Sequence, residues 1–528
     1  MRLGQKVTGP ERLGLVKLLR FSNREFTGTG CRRDDQVFFR GDDIISPVNF
    51  QTGCLIAAST RLCRLSCLYT GLLLVVLFVL GCAHYPVNQP LDRYNPDGGY
   101  RLEKMGTPGN SRSLLVIVTF SGGGTRAAAF SYGVLEELAG TEIWWEGRQR
   151  RLLDEVDLIS AVSGGSFTAA YYGLFGDRIF EEFEGRFLKK NIQRALTARV
   201  LHPLNWLRLA SPNFDRSDLA AEYYDKQLFE GRTFGDIAAH GGPVTYINAT
   251  DMTLGTWFSF CQEQFDSICS DVSRFPVARA VAASSAAPAV LSPVTLRNYA
   301  GICGYETPQY ARECLEERNV SRRRFQQAVH ATSYMDAQKR PYVHLLDGGL
   351  ADNLGLRAIM DRIIFVRDPW STLQMAGLEE TRRVVFIVVN AETEPDIRMD
   401  RREKAPRIAQ VLKSTPRVSI KRYNFETVEL LRENLRKWAE EIRVRRCGAR
   451  SAESEAEGTS EVGPWNDIVF YLVEVNLDAL PDESERSYLK GLPSSFKLCP
   501  ETVDQLREAA RRILVQSVEF QRLLGDLR

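Results

Sequence analysis

The sequence predicts an α/β protein with a mostly parallel central sheet flanked by helices. Three observations carry that expectation. Leu114–Phe120 (LLVIVTF) is an unbroken apolar, β-branched run, as suits a strand covered on both faces. It leads through Gly122-Gly-Gly124 into AAAFSYGVLEELAG, a helical pattern closing at Gly140. Further strand candidates at Val156–Ala161, Val244–Ala249, Tyr342–Leu346, Val384–Asn390 and Ile468–Val475 alternate with helical stretches.

The 528 residues are 44% hydrophobic and 25% charged, which supplies a large core. Charge is uneven along the chain. Residues 1–65 hold eleven Lys/Arg against six Asp/Glu, so the remainder carries −3 within a net charge of +2. A mildly acidic body lacks the basic face that a phosphate backbone needs, which argues against nucleic acid as a partner.

Residues 1–64 show no periodicity and read as an N-terminal extension outside the mature fold. They are either a cytoplasmic segment or sequence upstream of a later start, since no methionine lies between Met1 and Met105. Between Leu65 and Asp92 there is no charged residue, and LYTGLLLVVLFVLGCA after RLCR has the form of a signal h-region with a basic flank. Residues 65–82 end in VLGC, similar to a bacterial lipobox, which would make Cys82 the lipidated residue. Leu80 is bulkier than the usual occupant of its place. The alternative is a single-pass membrane anchor at 65–83, whose 19 residues fall just short of a spanning helix. Both readings put the chain on a membrane, expected on the periplasmic or extracytoplasmic side. Residues 83–112, with Pro, Gly and Asn in clusters, read as a tether.

The body, 113–528, is expected to be one catalytic domain. Insertions fall near 176–240, helical and aromatic-rich, and near 301–340; RSAESEAEGTSEVG (450–463) reads as a mobile loop. VDQLREAARRILVQSVEFQRLL closes the chain as an amphipathic helix. Six cysteines follow Cys82, an even number that fits an oxidising compartment. The simplest pairing is Cys261–Cys269, Cys303–Cys314 and Cys447–Cys499. No C-x-x-C spacing occurs and the five histidines are dispersed, so neither a metal nor a cofactor is expected.

Chemistry concentrates in three places. Ala161-Val-Ser-Gly-Gly165 sits between a strand and a helix, where a sharp turn lifts the Ser163 hydroxyl clear of the backbone and Gly165 leaves room. The following helix aims its N-terminal amides at the same point. Gly122, Gly123, Gly124 and Thr125 offer amides for an oxyanion; the run lacks the Lys-Ser/Thr of a phosphate loop. Arg126 either adds positive potential there or pairs with a surface acid. Asp347 ends a strand and is followed by Gly348 and Gly349, placing an acid where open α/β sheets put their sites, although Asp-Gly is also an ordinary turn former. His344, three residues earlier, would face the other side of the strand.

Together these elements resemble the patatin-like phospholipases, whose pattern is G-G-G-x-R/K, G-x-S-x-G and D-G-G/A. NATDMTLGTWFSF (248–260) and AVAASSAAPAVLSPV (280–294) look similar to the segment before the Asp strand in that family. The likeness spans roughly 112–395, and the C-terminal strand and helix look similar to bacterial members. It implies a three-layer fold and a Ser163–Asp347 dyad without histidine, acting through an acyl-enzyme on phospholipid or another acyl-ester lipid at a membrane surface. Ala161 departs from the pattern. The alternatives are acyl transfer to an acceptor other than water, and a lipid-binding envelope lipoprotein that keeps the fold without the activity.

Overall fold

The apolar run that opens the body becomes β1 (Leu114–Phe120) of the sheet, and the other strand candidates join it within a residue or two of the expected ends. The computed structural model describes residues 69–71, 87–101, 109–288, 290–317, 321–363, 368–394, 400, 401, 403, 405, 406, 408–457 and 468–528. The chain divides into two units, Met1–Thr70 and Gly71–Arg528. Of the first, only Tyr69 and Thr70 are described, both helical. VLGC and Cys82 lie outside the described residues. Among the described residues no helix is long and apolar enough to cross a membrane.

Along the second unit, β1 is followed by α1 (Thr125–Gly140), a hairpin of β2 (Glu142–Trp145) and β3 (Arg148–Arg151), β4 (Val156–Val162) and α2 (Gly164–Phe175). Residues 176–240 contribute α3 (Ile192–Leu201), α4 (Pro203–Leu209) and α5 (Arg216–Tyr224) among their helical segments. Then come β5 (Val244–Asp251), β6 (Trp257–Ser259), α6 (Val277–Ser284) and β7 (Val294–Arg297). Residues 301–340 hold α7 (Gln309–Glu316) and α8 (Arg322–Ser333). The chain ends with β8 (Tyr342–Asp347), β9 (Arg383–Asn390), α9 (Ile408–Glu457), β10 (Val469–Asn476), α10 (Pro500–Gln516) and α11 (Val518–Asp526). Other helical segments lie between these.

The sheet order is β10-β9-β1-β4-β5-β8-β7, with β6 on β5. From β10 to β5 every neighbouring pair is parallel; the pairs β5–β8, β8–β7 and β5–β6 are antiparallel, so β8 and β6 run against the rest. The central strands β1, β4, β5 and β9 are buried along nearly their whole length, which is why their sequences are continuously apolar. β8 alternates exposed and buried from Tyr342 to Leu345, the pattern of a strand with one wet face.

Four expectations are corrected. Residues 87–101 are no loose tether. Asn88 Nδ2 donates to Ser270 Oγ and Arg297 O at 2.9 Å, the Tyr100 hydroxyl accepts from Thr245 N at 2.6 Å, and Arg101 is buried against Asp266 at 2.5 Å. Turn-forming residues let the chain follow the surface of the domain, and its polar groups dock there. Residues 450–457 continue α9, while 458–463 lie outside the described residues. The closing helix is two helices, because Ser517 turns to extended backbone and its hydroxyl caps α11 through Phe520 N.

The fourth correction concerns cysteine. The bridge is Cys269–Cys303, with Cα atoms 5.5 Å apart. The loop after β7 returns beside residue 268, where Tyr299 N donates to Ile268 O at 2.9 Å, and this brings Cys303 to Cys269. Cys261 is buried elsewhere with Arg362 Nη2 on its sulfur at 2.8 Å, and burial pushes its thiol up to about 12. Cys314 lies in a small core with Ala311 and Ala328; Cys499 is exposed. The Cys447 side chain lies outside the described residues. Peptide mapping of non-reduced protein should therefore return Cys269–Cys303, with Cys499 alkylated in the native state and Cys261 and Cys314 only after unfolding. A Cys261–Cys269 or Cys303–Cys314 crosslink would contradict this.

Candidate active site

β4 ends at Val162 and α2 begins at Gly164, so Ser163 alone makes the turn. Its φ of 48° is a left-handed value that costs a non-glycine residue on the order of 1–3 kcal/mol unless its surroundings enforce it. Here they do. Ser163 N donates to Ser284 Oγ at 2.8 Å, and Ser284 in turn donates to Asn248 O at 2.6 Å. Ser166 closes the turn from the other side, its hydroxyl donating to Ser163 O at 2.5 Å. A Cβ on Gly164 would lie 2.2 Å from Gly124 O, so only glycine lets the elbow meet the loop after β1. Gly165 is also tightly packed, since a Cβ there would lie 2.7 Å from Phe120 Cβ and 2.8 Å from Ser121 O. Ala161 is fully buried in β4 in ordinary strand conformation, so alanine at that place introduces no strain.

The second group arrives on β8. Ser163 Oγ donates to Asp347 Oδ2 at 3.0 Å, and Gly349 N donates to Oδ1 at 2.9 Å. Burial pushes the Asp347 carboxyl up to about 6, against the opposing pull of the Gly349 amide and the Ser163 hydroxyl. That value suits a group that must be ionised near neutrality yet willing to take a proton. Asp352 is held at about 6 by the same cause, but it accepts from Arg357 N at 2.7 Å and serves that helix start. His344 is exposed and meets Thr295 Oγ1 through Nδ1 at 3.0 Å, so the structure keeps it off the elbow, as its strand position predicts.

Of the four amides expected for an oxyanion, two are already committed. Gly122 N donates to Asn353 O at 3.1 Å and Thr125 N to Ser495 O at 2.9 Å. Among the described residues, the amides of Gly123, Gly124 and Gly164 donate to no protein atom. The helices α1 and α2 both begin at this point, adding the positive ends of two helix dipoles. The Arg126 guanidinium lies against the glycine loop, where a Cβ on Gly123 would stand 2.8 Å from Nη2. It is buried and donates through Nε to Ala391 O at 2.8 Å and Nη1 to Leu492 O at 2.7 Å, bracing the glycine loop. Among the described residues no group of three His, Cys, Asp or Glu side chains could hold a metal ion.

Sequence reasoning missed three supports: Ser284, Asn248 and Asn353, whose side chain stands where a Cβ on Gly122 or Gly349 would go. Ser284 and Asn248 lie inside AVAASSAAPAVLSPV and NATDMTLGTWFSF, and Asn353 lies four residues after Gly349, but nothing in those strings says which polar atom meets the elbow. Gly348 is fixed by a close approach, since a Cβ there would lie 2.2 Å from Asn248 O.

Residues 118–360 match the model of the patatin-like phospholipase family. Similar solved structures include human GIVD cytosolic phospholipase A2, 13% identical, covering 79% of this chain and 62% of that one at a TM-score of 0.40. The same human protein in complex with methyl gamma-linolenyl fluorophosphonate is 13% identical, with 79% and 59% covered and a TM-score of 0.35. VipD from Legionella pneumophila is 13% identical, with 80% and 71% covered and a TM-score of 0.27. The chain thus spans 62% of the length of the human protein. No curated protein matches the chain.

If Asp347 is the group that takes the Ser163 proton, kcat/KM for a neutral ester should rise through pH about 6 and level off above it, falling roughly tenfold per pH unit below. A pH dependence that disappears in His344→Ala would contradict the assignment.

Proposed function

Residues 118–360 belong to the patatin-like phospholipase family, a family of lipid acyl hydrolases, and from that premise we propose that the chain cleaves fatty-acyl esters of phospholipids or related lipids through an acyl-enzyme on Ser163. The observation that carries this is the 3.0 Å hydrogen bond from Ser163 Oγ to Asp347 Oδ2 on an elbow that meets uncommitted amides. Asp347 accepts the hydroxyl proton as Oγ bonds to the ester carbonyl carbon. The oxygen gains negative charge in the field of the Gly123, Gly124 and Gly164 amides and the two helix starts. Collapse expels the alkoxide, which takes the proton from Asp347 and leaves the acyl group on Ser163. Water then repeats the sequence, giving its proton to Asp347 and releasing the fatty acid.

Ser163→Ala and Asp347→Asn should each lower ester turnover by at least about 10³-fold, and the double variant should be little worse, because the pair acts as a unit. A fluorophosphonate should label Ser163 in the wild type. Fatty acid released from phospholipid vesicles, followed by mass spectrometry, identifies the substrate class. A folded protein that neither takes the label nor releases acyl chains would be a lipid binder on the same fold.

For location, the reading is a membrane-tethered protein on an oxidising side, carried by VLGC with Cys82 as the lipidated residue or by a simple anchor at 65–83. The Cys269–Cys303 bridge supports an oxidising compartment. Cys82→Ser should accumulate an unprocessed precursor and abolish acyl labelling of the mature form. A mature N-terminus upstream of Cys82 would establish the anchor.

A further inference from the structure

The 176–240 insertion leaves apolar side chains in water. On the end of α3 and along α4, Leu201 is 62% exposed, Leu204 68%, Trp206 58% and Leu207 39%. The inner side of the same pair is anchored: Val200 and Leu209 pack on Phe214 and Leu219, and Trp206 Nε1 donates to Val200 O at 2.9 Å. These helices thus hold a fixed apolar ridge outward. A cluster of large apolar side chains this exposed is uncommon on a protein that works only in bulk water.

Charge defines what the ridge fits. From 185 to 214 the chain has no Asp or Glu and six Lys/Arg: Arg186, Lys189, Lys190, Arg194, Arg199 and Arg208. Arg186, Lys189 and Arg208 are paired with acids from flanking segments. Lys190 and Arg194 are exposed and have no acid partner among the described residues. Exposed leucine and tryptophan in a stretch whose exposed, unpaired charges are lysine and arginine, with Arg194 two helical turns before Leu201 on α3, is the chemistry of a segment lying in the interface of an anionic bilayer.

The ridge is tied to both rims of the elbow. Gln193 N, at the start of α3, donates to Phe496 O at 3.1 Å, and the preceding Ser495 O holds Thr125 N at the glycine loop. On the other rim, α5 is locked to α6 by the buried Arg279–Asp218 pair, and Ser284 at the end of α6 holds Ser163 N. Ser217 of α5 also donates to Ser292 O in the loop after α6, where Val290 stands 67% exposed. Asp347 N donates to Ala286 O of that loop at 3.1 Å.

We propose that the α3–α4 ridge is a docking surface for an anionic lipid bilayer, seated through Leu201, Leu204, Trp206 and Leu207 and steered by Lys190 and Arg194, which turns the Ser163 elbow toward its lipid. The orienting role rests on the lipid hydrolase reading; the docking does not.

The test uses full-length protein carrying Ser163→Ala in vesicles of phosphatidylcholine alone, or with about one third phosphatidylglycerol, doped with a phospholipid bearing a photoactivatable group high on its acyl chain. Crosslinks should map to peptides covering 200–209, several-fold stronger with phosphatidylglycerol, and should fall at least about fivefold in L201E/L204E. Label confined to other segments, label equal in the two vesicles, or label undiminished by L201E/L204E overturns the proposal. So does sedimentation in detergent showing a dimer that L201E/L204E dissociates, which would assign the ridge to a second copy of the chain. With Ser163 intact, L201E/L204E should keep its turnover of a soluble short-chain ester while losing about tenfold on phosphatidylglycerol vesicles. If the wild type hydrolyses no ester, the hydrolase reading fails while the crosslinks still decide the docking surface.

Discussion

The hydrogen bond between Ser163 and Asp347 joins residues 184 positions apart in the chain and on strands that do not touch. β5 lies between them: Val162 pairs with Asn248 of β5, and Asp347 pairs with the next residue, Ala249. Two strand spacings separate the backbones of β4 and β8, about 10 Å. A serine inside β4 and an acid inside β8 would stand side by side without meeting. The elbow solves half of this by lifting Ser163 off the end of its strand. The other half is that β8 runs antiparallel to β5 and stops at Asp347, level with the end of β4.

The same strand order distributes the chemistry. β1 neighbours β4 on the side away from β5, so the glycine loop stands on one flank of Ser163 and Asp347 on the other. The oxyanion donors and the proton acceptor of the proposed reaction would therefore not compete for one position. No side chain can come between loop and elbow, because Gly164 meets the backbone of Gly124. The Arg126 guanidinium fixes the loop from behind by taking the carbonyls of Ala391, just past β9, and Leu492. Burying that group without hydrogen bonds would be costly, so its location depends on the whole C-terminal part of the sheet being formed.

How much of this could be read in the residues depends on the range of the interaction. The strands were legible because burial on both faces writes itself as a continuous apolar run, and the elbow because strand, serine and glycine are adjacent. Asp347 was found at the correct end of its strand, but its direction was not: nothing in YVHLLD says antiparallel. Long-range polar partners were not legible. Arg126 carries the same letter whether it faces solvent, an acid or two carbonyls. The disulfide failed for the same reason, since proximity in sequence favoured Cys261 for Cys269 while the fold brought Cys303. Residues 87–101 read as linker because Pro, Gly and Asn signal turns, and turns on a surface look the same as turns in a tether.

Asp347 draws these threads into one electrostatic balance. A carboxylate that accepts several backbone amides becomes a weak base, because each bond favours its charged form. Here one oxygen takes a single amide, from Gly349, and the other faces the serine. Burial outweighs both and sets the group at about 6. The consequence for folding has the opposite sign to that for chemistry. A carboxyl raised above its unfolded value of about 3.9 contributes stability that is fully present below that value and lost as pH rises through about 6. The base competence that the proposed reaction asks of Asp347 arises over the same interval. In the proposed reaction the fold would thus hold Asp347 in the protonation state that suits the chemistry and disfavours the fold, with the strained elbow and the carboxylate locked into one network through Ser284, Asn248 and Gly349.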